Sequence, residues 1–301
     1  MLHMNDFYSL ENFKKLSVFE EYNPTWIGPG SERVWSSKNN QDISYYDLDG
    51  YYITKDVGDK KIINKNINFE YKINKHGFRS QHFKNVNTNK ISVLTSGCSQ
   101  SFGEGMPETL RWQYFLLNDF IDKNVDHFDM AAMGASSRLI IRNIFTFIRN
   151  YGKPNYIFIV FPDIARNFMF HDNNKCFQNV TYHTKSLTNR SIMTPHYTRY
   201  ALGFHEHDAM MSFVEDVWAL EQFCELTNIK LFWTTQDSRL EELIINNIKV
   251  KNFVVTNNKD LTQLENINNL EYWDIANDNA HRGSSWTSYV AKKFIEQVLN
   301  D

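Results

Sequence analysis

The run Tyr156-Ile157-Phe158-Ile159-Val160-Phe161 constrains the fold more than any other stretch of the chain. These consecutive apolar residues are rich in β-branched and aromatic side chains and too few for a helix. They describe a strand buried on both faces, as in the middle of a parallel sheet. The surrounding sequence fits that requirement. Ile91-Ser92-Val93-Leu94-Thr95 and Lys230-Leu231-Phe232-Trp233-Thr234 read as further strands, and 127–130 as a weaker one. Between them apolar spacing predicts helices over 109–122, 136–150 and 208–226, with a last one over 284–299. Strands alternating with helices argue for an α/β fold whose parallel sheet is covered on both faces.

The first ninety residues break this rhythm. Tyr45-Tyr46 and Tyr51-Tyr52-Ile53 flank Asp49-Gly50, a hairpin signal. Residues 1–90 are therefore expected to form a β-rich extension or small accessory domain, and 91–301 the main domain. The length of 301 residues fits about two domains at about 150 residues each. An insertion over 168–203 is longer than ordinary connections and reads as a lid or specificity element. Its Tyr182, Tyr197 and Tyr200, with Trp26 and Trp35 upstream, could stack on sugar rings or simply pack.

Charge and composition narrow the partners. A net charge of −3 gives no generic basic footprint for nucleic acid. No apolar run approaches the eighteen or so residues of a membrane span, so no membrane partner is expected. The opening MLHMNDFYSLENFKK lacks the basic-then-apolar order of a secretion signal. Cys98, Cys176 and Cys224 form no C-x-x-C pair and suggest no disulfide framework. A cytoplasmic setting, or a virion assembled in one, is expected. His205 and His207 lack a third ligand at helical spacing, so no metal or other cofactor is expected. Oligomeric state is not legible.

In such sheets reactive loops lie beyond the carboxyl ends of the strands. Segments 97–105, 133–137 and 162–167 fall there, and 278–281 precedes the final helix. The first contains Ser96-Gly97-Cys98-Ser99-Gln100-Ser101-Phe102-Gly103-Glu104-Gly105. Small residues let the backbone turn sharply and expose a hydroxyl, which becomes a nucleophile only when an oriented base takes its proton. Asp278 and His281 offer that base and its orienting carboxylate. The amides of Ser99 and Gly134 are suitably placed to stabilise an oxyanion. Ser99 could instead be a turn serine capping a helix. Cys98 is the alternative nucleophile, although a small buried thiol is its commoner duty.

At these residues the chain resembles the SGNH, or GDSL-type, hydrolases. Gly97-Cys98-Ser99-Gln100-Ser101-Phe102-Gly103 is similar to their first block, with Cys98 in the Asp place and Ser101 in the Thr place. Gly134 matches the glycine of their second block, and Asp278-x-x-His281 their last. Asn74-x-x-Gly77-Phe78-Arg79 looks like a lead-in found in a subset, bacteriophage members among them. The third block, typically Gly-x-Asn-Asp, is replaced by Phe161-Pro162-Asp163-Ile164-Ala165-Arg166-Asn167. The resemblance implies a flavodoxin-like three-layer α/β/α sandwich and a serine esterase or deacylase without cofactor. It also implies a Ser99, His281 and Asp278 triad, with Ser99, Gly134 and Asn167 lining the oxyanion hole. The implied substrate is a small-molecule or carbohydrate ester, an O-acetyl sugar foremost. An O-acyltransferase using the same site, or an inactive SGNH-like binding or structural module, remains the alternative. A phosphate-binding reading of 97–105 fails, because the loop lacks the Gly-Lys-Ser/Thr ending of a P-loop.

Overall fold

The computed structural model describes residues 33–36, 70–74, 76, 78–120, 125–164, 166–171, 176–181, 206–248, 250–256 and 281–301. Its centre is a parallel sheet of β3 (Ile91–Gly97), β4 (Val125–Asp129), β5 (Tyr156–Phe161) and β8 (Lys230–Thr235). They lie in the order β4-β3-β5-β8. The chain thus moves from β3 to one side, returns across it to β5, and continues outward. This is the beginning of the flavodoxin-like order, in which the crevice beside the first strand opens where the winding reverses. Beyond β8, Trp233 N donates to Asn252 O at 3.1 Å and Val254 N to Trp233 O at 2.8 Å, adding a short parallel bridge at that edge.

The alternation of β5 explains both covering layers. Ile157, Ile159 and Phe161 point into one cluster. There they meet α3 (Ser137–Tyr151), α4 (Glu206–Thr227) and α5 (Ser238–Asn247) through Leu139, Ile144, Leu220 and Ile244. Phe158 and Val160 point the other way, against Trp112 and Leu116 of α2 (Trp112–Phe120) and Trp286, Val290 and Phe294 of α6 (Ser284–Asn300). Each such buried side chain contributes about 1.5–3 kcal/mol. The result is the three-layer α/β arrangement that the periodicity implies.

Two strands precede the sheet, β1 (Arg33–Ser36) and β2 (Glu70–Ile73), paired antiparallel. The chain after β2 packs directly onto the main core. Phe83 stands edge-on to Phe147 at 5.4 Å and to Tyr151 at 5.8 Å. The Asp49-Gly50 hairpin lies outside the described residues.

Two elements differ from the sequence-based expectation. β6 (Arg166–His171) and β7 (Cys176–Thr181) form an antiparallel hairpin where a loop and the start of an insertion were expected. Helix α5 is an addition, begun by Asp237, whose carboxylate accepts from Arg239 N at 3.0 Å and Leu240 N at 3.4 Å. Among the described residues no helix is long and apolar enough to cross a membrane.

Candidate active site

β3 ends at Gly97, and the backbone has no room for a side chain there. A Cβ on Gly97 would lie 2.1 Å from Ser101 Oγ and 2.8 Å from the Val160 carbonyl oxygen of β5. Glycine therefore lets the chain leave β3 tightly against β5. Cys98 is extended, and a single helical turn, α1 (Ser99–Phe102), follows at once. Gly103 stops it in the left-handed region at φ 73°, a conformation that disfavours other residues.

So short a helix cannot satisfy its own last carbonyls. Buried side chains do so instead. Arg79 Nη1 donates to Phe102 O at 3.1 Å and to Gly103 O at 3.0 Å. Ser101 O accepts from Arg111 Nε at 3.3 Å, Arg111 Nη2 at 3.0 Å and Gln113 Nε2 at 2.7 Å. Two guanidinium groups beneath one turn need counter-charge. Glu108 meets Arg111 Nη1 with both oxygens at 2.9 Å and Arg79 Nε at 3.2 Å. Asp129, from the end of β4, pairs with Arg111 Nη2.

The electrostatics follow from this crowding. Burial, with Arg111 nearby, brings Arg79 down to about 10. Burial alone would lower Arg111 too, but Asp129 and Glu108 outweigh it and raise the group above its ordinary value. Partial burial would raise the Glu108 carboxyl, yet Arg111 and Arg79 hold it below its ordinary value. Arg79 also lies over the Tyr71 ring at 4.4 Å, while Tyr71 Oη accepts from Gly105 N at 2.7 Å. The turn carrying Ser99 is thus anchored from beneath by fixed charges.

His281 approaches from the segment before α6. Its Nε2 is 2.8 Å from Ser99 Oγ. The structure therefore brings together two of the residues singled out from sequence, separated by 182 positions. Glu104, 7 % exposed, stands on the same side of the ring, with Oε2 3.7 Å from Nε2. Asp278 lies outside the described residues. Gly134 occupies a turn beyond β4. Pairing continues past that strand through Met130 N to Thr95 O at 2.8 Å and Ala132 N to Gly97 O at 3.0 Å. The Met133-Gly134 turn is thereby carried to the same sheet edge as Ser99, with Gly134 at φ 70°. Asn167 is the second residue of β6 rather than part of an open loop, and only its backbone is described. Cys98 is wholly buried, with its thiol 3.6 Å from Gln236 Oε1.

No protein-family model matches the chain. No curated protein matches it either. Two solved structures, an esterase and a lipolytic G-D-S-L family member, are similar to it at low identity. The psychrotrophic esterase EstA from a Pseudoalteromonas species is 12 % identical with a TM-score of 0.38, over 70 % of this chain and 99 % of that one. A member of the lipolytic G-D-S-L family from Veillonella parvula is 14 % identical with a TM-score of 0.37, over 68 % of this chain and 97 % of that one.

Several residues of the site escaped the sequence reading. Gln100 carries no local signal beside Ser99, yet it is buried and bonded to the backbone of Arg282. Glu104 lies between two glycines in sequence, a pattern that marks a sharp turn without revealing what its carboxylate faces. Arg111 and Asp129 are ordinary polar residues at the ends of a helix and a strand, and only tertiary structure shows them buried together. Among the described residues no group of His, Cys, Asp and Glu could hold a metal ion.

Proposed function

We propose that this protein is a serine esterase in which Ser99 is the nucleophile and His281 its base. The observation that carries this reading is the 2.8 Å contact between Ser99 Oγ and His281 Nε2 at the carboxyl edge of a parallel sheet. With Ser99 O–H donating, Nε2 accepts and the other ring nitrogen holds the proton. Asp278, three residues before His281, is assigned to that second nitrogen.

In the first half-reaction Oγ bonds to the ester carbonyl carbon while Nε2 takes its proton, and the carbonyl π pair moves onto oxygen. The amides of Ser99 and Gly134 are assigned as donors to that oxyanion, with Asn167 as a third. The Glu104 carboxylate favours the imidazolium so formed. Collapse breaks the carbon–alkoxy bond, and Nε2 returns the proton to the departing alcohol. A water molecule then attacks the acyl-enzyme, His281 takes its proton, and the acid leaves as Oγ recovers the proton. A small-molecule or carbohydrate ester is the proposed substrate class.

The test is a fluorophosphonate trap read by intact mass. One adduct is expected on the wild type, and none on Ser99→Ala or His281→Ala, whose losses should reach several orders of magnitude. An unmodified wild type, or an adduct that persists in Ser99→Ala, would refute the assignment.

A further inference from the structure

The hydroxyl and imidazole meet across 182 residues of chain, and something must hold their separation steady. Ser99 is anchored through the carbonyls at the end of its turn. His281 is a single side chain on a short connection into α6, and the contact to Ser99 is one hydrogen bond. The residue next to Ser99 and the residue next to His281 are joined far more firmly. Gln100 Nε2 donates to Arg282 O at 2.8 Å, and Arg282 N donates to Gln100 Oε1 at 3.0 Å. Only one orientation of the amide satisfies both partners, so the assignment of its oxygen and nitrogen is fixed by the network. Gln100 is 5 % exposed, so little water is available to replace either bond.

The two contacts close a ring. Ser99 and Gln100 are adjacent, Arg282 and His281 are adjacent, and the rungs are the hydroxyl–imidazole bond and the paired amide. A planar amide gripping both backbone groups of one residue restricts sliding and rotation of that residue together. A hydrocarbon of similar size would fill the space and restrict neither. The side chain of Arg282 adds a second hold, lying 5.2 Å from the Trp286 ring of α6.

We propose that Gln100 is a positioning residue for the esterase reaction, setting the register of His281 over Ser99. This rests on the reading of Ser99 and His281 as nucleophile and base. It assigns Gln100 no contact with substrate. Its effect passes through the backbone of Arg282, so loss should slow the proton transfer and leave substrate binding nearly unchanged.

The experiment measures fluorophosphonate labelling rate per folded molecule, and kcat and KM with p-nitrophenyl acetate, well below each variant's melting temperature. Gln100→Met is expected to label about 100-fold more slowly, the scale of a 1 Å misplacement of catalytic groups, with kcat reduced and KM nearly unchanged. Gln100→Asn keeps the amide but is one methylene too short to reach both groups, and should show the same pattern. It also serves as the test should Gln100→Met not fold. Thr287→Val is the control for stability alone. Thr287 Oγ1 holds the start of α6, lying 2.6 Å from Leu110 O and 2.9 Å from Ser284 O. Thr287→Val should lower the melting temperature without slowing labelling. A Gln100 variant labelling within about threefold of wild type, or a Thr287→Val variant slowed as much as Gln100→Met, would overturn the positioning role while the esterase reading stood. Failure of the wild type itself to label would refute the esterase reading and the role of Gln100 with it.

Discussion

Replacing Arg111 by Met tests the anchoring of the turn that carries Ser99. The guanidinium makes three kinds of contact, and they are of unequal weight. Its two bonds to Glu108 reach a carboxylate that is 53 % exposed, so water recovers much of their value. Its two bonds to Ser101 O leave a carbonyl that Gln113 still serves at 2.7 Å. Asp129 is different, being 2 % exposed and paired with Arg111 through Oδ2. The other oxygen keeps Ala131 N at 2.9 Å and Thr95 Oγ1 at 3.2 Å, but neither supplies positive charge. Stranding one partner of a buried ion pair costs about 3–5 kcal/mol. The bonds that persist favour the lower end, about 3 kcal/mol, or a fall in melting temperature of about 6–12 °C for a domain of this size. Urea and thermal unfolding would measure it. Removing both charges in Arg111→Met/Asp129→Leu should cost less than the two single changes added together, by about 1–3 kcal/mol. If Arg111→Met fell within about 1 kcal/mol of wild type, or if the cycle were additive, the ion pair would not be the anchor described.

Two further perturbations bear on the same region. Gly97→Ala puts a methyl group where Ser101 Oγ and the Val160 carbonyl stand 2.1 and 2.8 Å away, so a loss of about 1–3 kcal/mol in urea unfolding is expected, together with slower labelling of Ser99; wild-type stability would show that the turn relaxes freely. His127 is held below its ordinary value by burial, against the opposing pull of Asp129, and its Nε2 lies 2.8 Å from Thr95 Oγ1. The unfolded chain binds its proton first, so this group favours folding above about pH 6.5 and loses that contribution as pH falls toward its folded value. His127→Gln should therefore flatten the stability–pH curve below about pH 6.5, by at most about 1.4 kcal/mol per pH unit, and an unchanged slope would contradict the assignment.

The fold was legible wherever burial is periodic. The strand expected over 156–161 is β5 as found, and the helices expected over 136–150 and 208–226 differ from α3 and α4 by only a residue or two at each end. Those segments are long or apolar enough for solvent exclusion alone to dictate them. The β6–β7 hairpin was missed because Arg166 to Thr181 follows directly on a central strand, where parallel sheets usually place a loop, and among the described residues its strands pair with each other and not with the central sheet. Helix α5 was missed although Asp237 signals its start and Leu240, Leu243 and Ile244 fall at helical spacing, because it is only ten residues long. In the candidate site, Ser99 and His281, which the structure brings within 2.8 Å, were singled out because small residues and a base before the last helix have local signatures. Gln100, Glu104, Arg111 and Asp129 owe their roles to partners far along the chain, and no local pattern distinguishes a buried Arg–Asp pair from two surface charges. Asp278, expected in the same site, lies outside the described residues.

The distance along the chain between Ser99 and His281 also governs when the pair can exist during synthesis. At about 5–20 residues per second, the ribosome needs roughly 10–40 s to add the 182 residues that follow Ser99. Once β5 has been made, about a third of the way through that interval, β3, β4 and β5 can associate through much shorter loops, while the Ser99 hydroxyl still lacks its His281 contact. Closing the larger loop carries an entropic cost that grows only with the logarithm of its length, so the delay is one of timing more than of energy. A nascent chain therefore lacks the Ser99–His281 contact until its last helix docks, and that contact becomes a reporter of completed folding.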